Sequence, residues 1–287
     1  MSLHHYIIVF LYPFKRVLYF VKKYLFRSNN YNELRVLLFH DIPEDKHSKF
    51  YKKLNKLSKS WNFISPKEFS DILEKRKILK GRNLLLTFDD GYISNRIIAK
   101  KFLNPLGIKA IFFVIQDFIG IKNRSEARKY VSSNIYPSLK YSNVPKNYYN
   151  MNWKHLKELV KEGHSIGAHT KSHKKLSEIK TKTNLIKEIV ESADYIEKML
   201  NVSIEHFAFP FGNRKSFSKK AFLVAKERFN FIFSGIRGDN NKISKENVIF
   251  RDSINMSFSY FLTGSFLEGS SDFYYKNDMI EINSWIN

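Results

Sequence analysis

Two carboxylates, Asp89 and Asp90, stand side by side where the apolar run Leu84-Leu85-Leu86-Thr87-Phe88 meets Gly91. The run reads as a buried strand and Gly91 as the start of a tight turn. Successive strand residues point to opposite sides, so two adjacent acids can take different tasks, one on a cation and one free as a base. A second group follows in Gly163-His164-Ser165-Ile166-Gly167-Ala168-His169-Thr170-Lys171-Ser172-His173. His169 and His173 are four apart, which lets two imidazoles converge on one ion if the segment turns as a helix or a compact loop. Two imidazoles and one carboxylate leave coordination positions open for water and substrate, as a catalytic metal site requires. An Asp-Asp-Gly turn or a spaced pair of histidines is commonplace alone; placed together at two strand ends they become specific. The chain has no Cys, which excludes thiolate ligands, a thiol nucleophile and a disulfide framework.

The elements that must hold these groups alternate. Strands are expected at 35–39, 84–88, 109–114, 165–168, 206–209 and 231–234, with helical patterns between them, the signature of βα units around a largely parallel sheet. In such folds ligands bind beyond the C-terminal ends of the strands. Ser65-Pro66-Lys67-Glu68 reads as a capping box with proline at the first helical position, opening a helix to about Lys77. Trp153, Leu156, Leu159 and Val160 form one face of another helix, closed by Gly163. A third is expected over roughly 184–200, with Leu185, Ile189, Ile196 and Leu200 inward. The stretch 116–150 has no strong period and exceeds the roughly 12–15 residues at which an unstructured loop becomes unusual. It should contain structure or serve the site. Its bases alternate with Tyr130, Tyr136, Tyr141, Tyr148 and Tyr149, which either cover the core or stack on sugar rings or bases.

Taken together, these residues resemble the polysaccharide deacetylase family, the NodB-homology group of carbohydrate esterases (family 4). Thr87-Phe88-Asp89-Asp90-Gly91 matches its first motif, His169-Thr170-Lys171-Ser172-His173 its second, and Phe209-Pro210-Phe211-Gly212 part of its third. The resemblance implies an α/β fold, a distorted (β/α) barrel, and a metal-dependent hydrolase that removes N-acetyl groups from amino sugars. It implies that Asp90, His169 and His173 are metal ligands and that Asp89 is the general base. The third motif implies an oxyanion site at the backbone N–H of Phe211, within the turn formed by Pro210 and Gly212. For the metal, Zn²⁺ fits two imidazoles and a carboxylate, and Co²⁺, Ni²⁺ or Fe²⁺ could use the same ligands.

Two features of many family members are missing. Ala208 stands where an Arg would orient the catalytic Asp, and no His follows His206 to act as general acid. A departing amine needs a proton. Val36-Leu37-Leu38-Phe39-His40-Asp41 is an apolar strand ending in His, and it resembles the N-terminal motif of poly-N-acetylglucosamine deacetylases, which implies His40 as the acid. The alternative is a histidine satisfied at a strand end. For the missing Arg, Val248-Ile249-Phe250-Arg251-Asp252 is strand-like and ends in a base; Arg251 is expected to pair with Asp89 and keep it ionised. A surface Arg–Asp turn is the competing reading. The remaining histidines, His4, His5, His47, His155, His164 and His206, read as surface or packing residues.

With 287 residues, 43% of them hydrophobic, the chain is long enough for one α/β barrel or two domains, and its 11 Gly and 7 Pro exclude a collagen-like or low-complexity chain. The net charge of +22 favours an anionic neighbour without choosing among membrane, glycan and nucleic acid. Residues 1–32 contain five bases and no acid. Their apolar run is shorter than the roughly 20 residues of a membrane span, and the charge follows it, unlike a secretory signal. Phe14, Val17, Leu18, Val21 and Leu25 suit a basic amphipathic helix, either an anchor on an anionic membrane or a helix packed on the domain. The expected organisation is this segment followed by a catalytic domain over 33–287 carrying an insertion at about 116–150. The leading function is N-deacetylation of an amino sugar in a cell-surface polysaccharide or its lipid-linked precursor, with a membrane-associated or envelope location ahead of a cytoplasmic one. Its competitors are a catalytically silent glycan-binding relative and a basic membrane or nucleic-acid binding protein; no specific nucleic acid is expected, since charge alone explains neither the acids nor the histidines.

Overall fold

The computed structural model describes residues 13, 14, 17, 32–244 and 246–286. The expected basic helix within 1–32 therefore lies almost wholly outside the described residues. Among the described residues nine strands form one sheet: β1 (Glu33–Phe39), β2 (Asn62–Phe63), β3 (Arg82–Phe88), β4 (Ala110–Val114), β5 (Ser165–Ala168), β6 (His206–Ala208), β7 (Phe231–Phe233), β8 (Val248–Ile249) and β9 (Asp252–Ser253). Their order is β8-β7-β6-β5-β4-β3-β1-β9, with β2 beside β3, and the pairings are parallel. The two ends of this order belong to one stretch of chain. Residues 248–249 pair with β7 while 252–253 pair with β1, so a single segment spans from one sheet edge to the other and curls the sheet into a distorted (β/α) barrel.

Between the strands lie α1 (His47–Leu57), α2 (Pro66–Leu73), α3 (Ile93–Ile98), α4 (Gln116–Ile119), α5 (Arg124–Tyr130), α6 (Trp153–Lys161), α7 (Lys182–Leu200), α8 (Lys219–Arg228), α9 (Tyr260–Leu267) and α10 (Lys276–Asn283). Strand alternation sorts the core into two clusters. Leu37, Phe39, Leu84, Leu86, Phe88, Phe112, Ile166 and Phe207 pack with the helices. Leu34, Val36, Leu85, Ile111, Phe113, Phe231, Phe233 and Ile249 form the second cluster, where Phe69 of α2 stacks on Phe233 at 5.8 Å. The interior parity continues past the strand ends: 34, 36 and 38 lead to His40, 85 and 87 to Asp89, and 249 to Arg251. Gly167 is needed on this face because a Cβ there would stand 2.4 Å from the Phe113 ring.

The capping box at Ser65 is present in both directions, with Glu68 N–H donating to Ser65 Oγ and Ser65 N–H to Glu68 Oε2. Helix α2 nevertheless ends at Leu73 rather than near Lys77. Lys75 is left-handed (φ 60°), and the N–H groups of Arg76 and Lys77 both turn back to Asp71 O. The stretch 116–150 is not a bare loop. It carries α4 and α5, and Tyr130, Tyr136, Tyr148 and Tyr149 pack on a cluster of Tyr92, Ile115, Phe118, Ala127, Val131, Ile135 and Val144. Among the described residues no helix is long and apolar enough to cross a membrane.

The closing segment is anchored on its outer side. Buried Asp252 accepts two hydrogen bonds of 2.8 Å from Arg35, whose guanidinium also reaches Asp272 at 2.7 Å and Phe266 O at 2.8 Å. Arg237 adds a contact to Asp252 at 3.4 Å. Through Asp272 and the carbonyl of α9, this network ties the C-terminal region to β1.

Candidate metal and catalytic centre

The strand registers bring the sequence-derived residues to one end of the barrel. Phe39 pairs with Phe88, and Asp89 N–H donates to Phe39 O at 2.9 Å, so His40 and Asp89 leave neighbouring strands together. On the other side His169 N–H donates to Val114 O at 3.0 Å and Phe209 N–H to Phe233 O at 3.0 Å. The His169–His173 segment is a compact loop, not a helix. Its turn is made by Thr170, whose Oγ1 accepts the His173 N–H at 3.0 Å, and Asp90, Thr170, His173 and Phe211 all have left-handed backbone. Such conformations cost on the order of 1–3 kcal/mol each and persist only where neighbours impose them.

Nε2 of His169 and of His173 lie 3.6 and 3.5 Å from Asp90 Oδ1, and one donor atom from each of the three falls within 4.8 Å of the others. All three side chains are buried, and neither carboxylate oxygen of Asp90 has a hydrogen-bond partner among the described residues. The second nitrogens are engaged elsewhere: His169 Nδ1 meets Ala208 O at 2.8 Å and His173 Nδ1 meets Asn134 O at 3.0 Å. Those carbonyls favour the tautomer with a proton on Nδ1 and leave the Nε2 lone pairs facing Asp90. Burial pulls His169 down to about 4 and His173 down to about 3, while burial and then the Asp89 charge push the Asp90 carboxyl well above its usual range. Neutral imidazoles with free lone pairs, facing an acid without a hydrogen-bond partner among the described residues, fit a divalent cation in donor type and number.

Asp89 is placed differently. Its oxygens receive Arg251 Nη1 at 2.7 Å and Nη2 at 2.8 Å in a bidentate pair, and Arg251 also donates to Ser234 O at 2.7 Å and Thr87 Oγ1 at 3.2 Å. Burial works against a charge on Asp89, but Arg251 with His169 outweighs it and holds the carboxyl below its usual range. Arg251 is fully buried, which removes the reading of a surface Arg–Asp turn. His40 is partly exposed; burial lowers its pKa and the Asp89 charge works the other way.

Phe211 packs its ring 4.6 Å from His173 and is 37% exposed, while its N–H has no acceptor among the described residues. Pro210 is buried behind it. Gly212 cannot carry a side chain: a Cβ would stand 2.4 Å from Gly235 N, and Gly235 N–H donates to Gly212 O at 2.8 Å. Two openings flank the centre. One, of about 280 Å³, is lined by His40, Asp41, Tyr136, Tyr148, Ser253 and Asn255. The other, of about 450 Å³, is lined by Asn134, His173, Lys174, Lys175 and Phe211.

Two supports have no counterpart in the sequence reading. Asn134, from the stretch 116–150, supplies the carbonyl behind His173. Glu188 of α7 is buried and pins the histidine loop by accepting from Ser172 N–H at 2.9 Å and Ser172 Oγ at 2.6 Å. A charged residue beside Leu185 and Ile189 on an inward helix face was the available signal. The other described histidines pack: His206 stacks on Phe231 at 5.3 Å, His164 Nδ1 accepts Ala110 N–H at 3.1 Å, His47 lies edge-on to Phe102, and His155 caps α6.

Residues 76–227, more than half of the chain, match the polysaccharide deacetylase family, and the chain belongs to that family. YxkH of Bacillus subtilis (strain 168), provisionally named a polysaccharide deacetylase, is 25% identical over a match of 195 residues that covers 66% of this chain and 60% of YxkH. The chain thus spans about 60% of the length of that curated relative. Among solved structures, IcaB from Ammonifex degensii superposes with a TM-score of 0.65 at 21% identity, covering 83% of this chain and 98% of that one. A de-N-acetylase from Aggregatibacter actinomycetemcomitans gives 0.65 at 16% identity, covering 82% and 100%. These last two are likenesses of fold.

Proposed function

We propose that the protein is a metal-dependent N-deacetylase acting on an amino sugar of a cell-surface polysaccharide or its lipid-linked precursor. The observation that carries this reading is the contrast at one strand end: Asp89 ionised against Arg251, and Asp90 unpaired against two neutral histidines. Asp90, His169 and His173 would hold the cation, with Zn²⁺ suited to that donor set. When bound, the ion polarises the acetamide carbonyl and makes water easier to deprotonate. Asp89 takes the proton from water as its oxygen bonds to the carbonyl carbon. The N–H of Phe211 donates to the oxyanion, and His40 protonates the departing nitrogen as the C–N bond breaks, leaving acetate and a free amine. Arg251 keeps Asp89 a carboxylate before the step, and the Asp89 charge offsets part of the burial that lowers the His40 pKa.

Reading the chain as a silent glycan binder rests on the missing motif Arg and the missing late His; Arg251 beside Asp89 argues against the first support, and the second turns on the activity of His40→Ala. An anionic membrane or envelope surface as the working location is supported by the +22 charge. The test is acetate release from N-acetylglucosamine oligomers by the metal-loaded protein. Asp89→Asn is expected to lower kcat about 10²–10⁴-fold, the range of a lost general base, and His40→Ala to lower it with the largest effect on substrates with poor leaving groups. Tight metal binding without release from any acylated amino sugar would sink the proposal.

A further inference from the structure

Asp41 follows His40 at the end of β1, and both its carboxylate oxygens are buried without a hydrogen-bond partner among the described residues. Buried polar groups are almost always paired, so an orphan of this kind calls for a missing partner. Burial raises the Asp41 carboxyl to about 6, so it is ionised at neutral pH; the nearby Ser94 hydroxyl, whose Oγ accepts the Ile42 N–H at 3.2 Å, offsets only part of that burial. A cation accounts for the orphaned oxygens of Asp90, but not for these: Asp41 stands outside the group of donor atoms within 4.8 Å of one another. Its partner must come from the cavity.

That cavity, about 280 Å³, combines Asp41 with the phenols of Tyr136 and Tyr148, and with Phe39, Ile254 and Met256 on its apolar side. Its volume falls at the small end of ligand pockets and suits one pyranose ring rather than several. Its chemistry selects further. Ionised Asp41 has acceptor capacity at both oxygens and nothing to donate, so it is complementary to two neighbouring hydroxyls on one ring edge. The apolar side suits the ring's C–H face. Asp90 nearby adds negative character, and Lys46 at the mouth is paired with Asp45, which disfavours a carboxylated or phosphorylated sugar at this position.

We propose that Asp41 is a specificity-determining residue that fixes the hexosamine ring undergoing deacetylation, each carboxylate oxygen accepting a hydrogen bond from one of two neighbouring ring hydroxyls. This rests on the deacetylase reading and adds to it the polar contact that selects a neutral pyranose beside the metal centre.

The experiment compares wild type, Asp41→Asn and Asp41→Ala, all metal-loaded and full length, on N-acetylglucosamine oligomers and on 4-nitrophenyl acetate, which carries the acetyl group without a sugar. For the oligomers kcat/KM should fall about tenfold to hundredfold in Asp41→Asn, which keeps one acceptor oxygen, and further in Asp41→Ala, which loses both, chiefly through KM, the scale of lost hydrogen bonds to a charged group. Ester hydrolysis should stay within about twofold, since no hydroxyl is involved. A substrate lacking one of the two hydroxyls should lose ground against wild type but not against Asp41→Ala. Equal losses on sugar and ester, or no loss on either, would overturn the role. If wild type releases no acetate from any amino sugar, the deacetylase reading falls, and calorimetric titration of the oligomers into the metal-loaded protein decides the subsite separately. Binding weakened at least tenfold by Asp41→Ala retains it; no binding, or binding unchanged by the substitution, removes it.

Discussion

Two buried charged clusters lie back to back on the segment that closes the barrel. On the outside, Asp252 meets Arg35 and Arg237, with Asp272 and a helix carbonyl taking the remaining guanidinium donors. On the inside, one residue earlier, Arg251 satisfies Asp89, but Asp90 and Asp41 keep all four carboxylate oxygens unpaired. Alternation along the strand explains how neighbours serve opposite faces. The lesson lies in the pairing. A saturated cluster holds elements together, whereas one left with orphaned acids waits for a cation and a substrate.

Stability measurements can break this contrast, beginning with the saturated cluster. Asp252→Ala leaves buried Arg35 with Asp272 as its remaining carboxylate and Arg237 with none among the described residues, and is expected to cost about 3–5 kcal/mol, as buried pairs do when one partner is lost. Denaturant melts check it; a loss below about 1 kcal/mol would mean the network is not a structural anchor.

The next effect comes from buried titratable groups outside both clusters. Burial holds His164 and His206 neutral, each down at about 4, with Lys109 adding to the effect at His164. Unfolding returns them to about 6.5, so the unfolded chain binds more protons and stability falls as pH drops from about 6.5 to about 4, by up to about 3 kcal/mol per ring. His206→Phe, which keeps an aromatic face against Phe231, should have a shallower pH slope in that window. An unchanged slope would show that His206 does not titrate there.

The orphaned cluster predicts smaller effects with a distinctive sign. Metal at a hundredfold over its dissociation constant should raise stability by about 2.7 kcal/mol, and Asp90→Asn should abolish that shift. In metal-free protein the same substitution removes a carboxyl that burial pushes well above its usual range, and with it the cost of taking up a proton on folding, so it should stabilise by about 1–2 kcal/mol, opposite to the effect of Asp252→Ala. Thermal melts with and without chelator read both. Destabilisation of the metal-free variant would place Asp90 with the structural acids.

Much of this was legible in the chain. Adjacent acids at the end of an apolar strand and histidines four apart are local patterns, and the strands carrying them are strongly apolar, so both survive without tertiary information. Arg251 was visible as a base ending a strand-like segment, but not the division of that segment between two sheet edges, because pairing partners are set by non-local register. Helix α2 was overestimated because the left-handed turn at Lys75, a residue with no special turn propensity, is imposed by backbone bonds to Asp71. Asn134 acts through its carbonyl, which every residue has, so its type carried no signal. His40 and Arg251 both lie outside residues 76–227, the span that matches the family.

The closing segment also has a meaning in time. One half rests on β7, its near neighbour in the chain, but the other rests on β1 at the far end of the barrel sequence, and pairings of such long separation are slow to form. Asp90, His169 and His173 need only the inner strands, whereas Asp89 gains its guanidinium when the last stave seats. In refolding from denaturant, cation capture therefore comes before turnover, and the delay between them times the closing of the barrel.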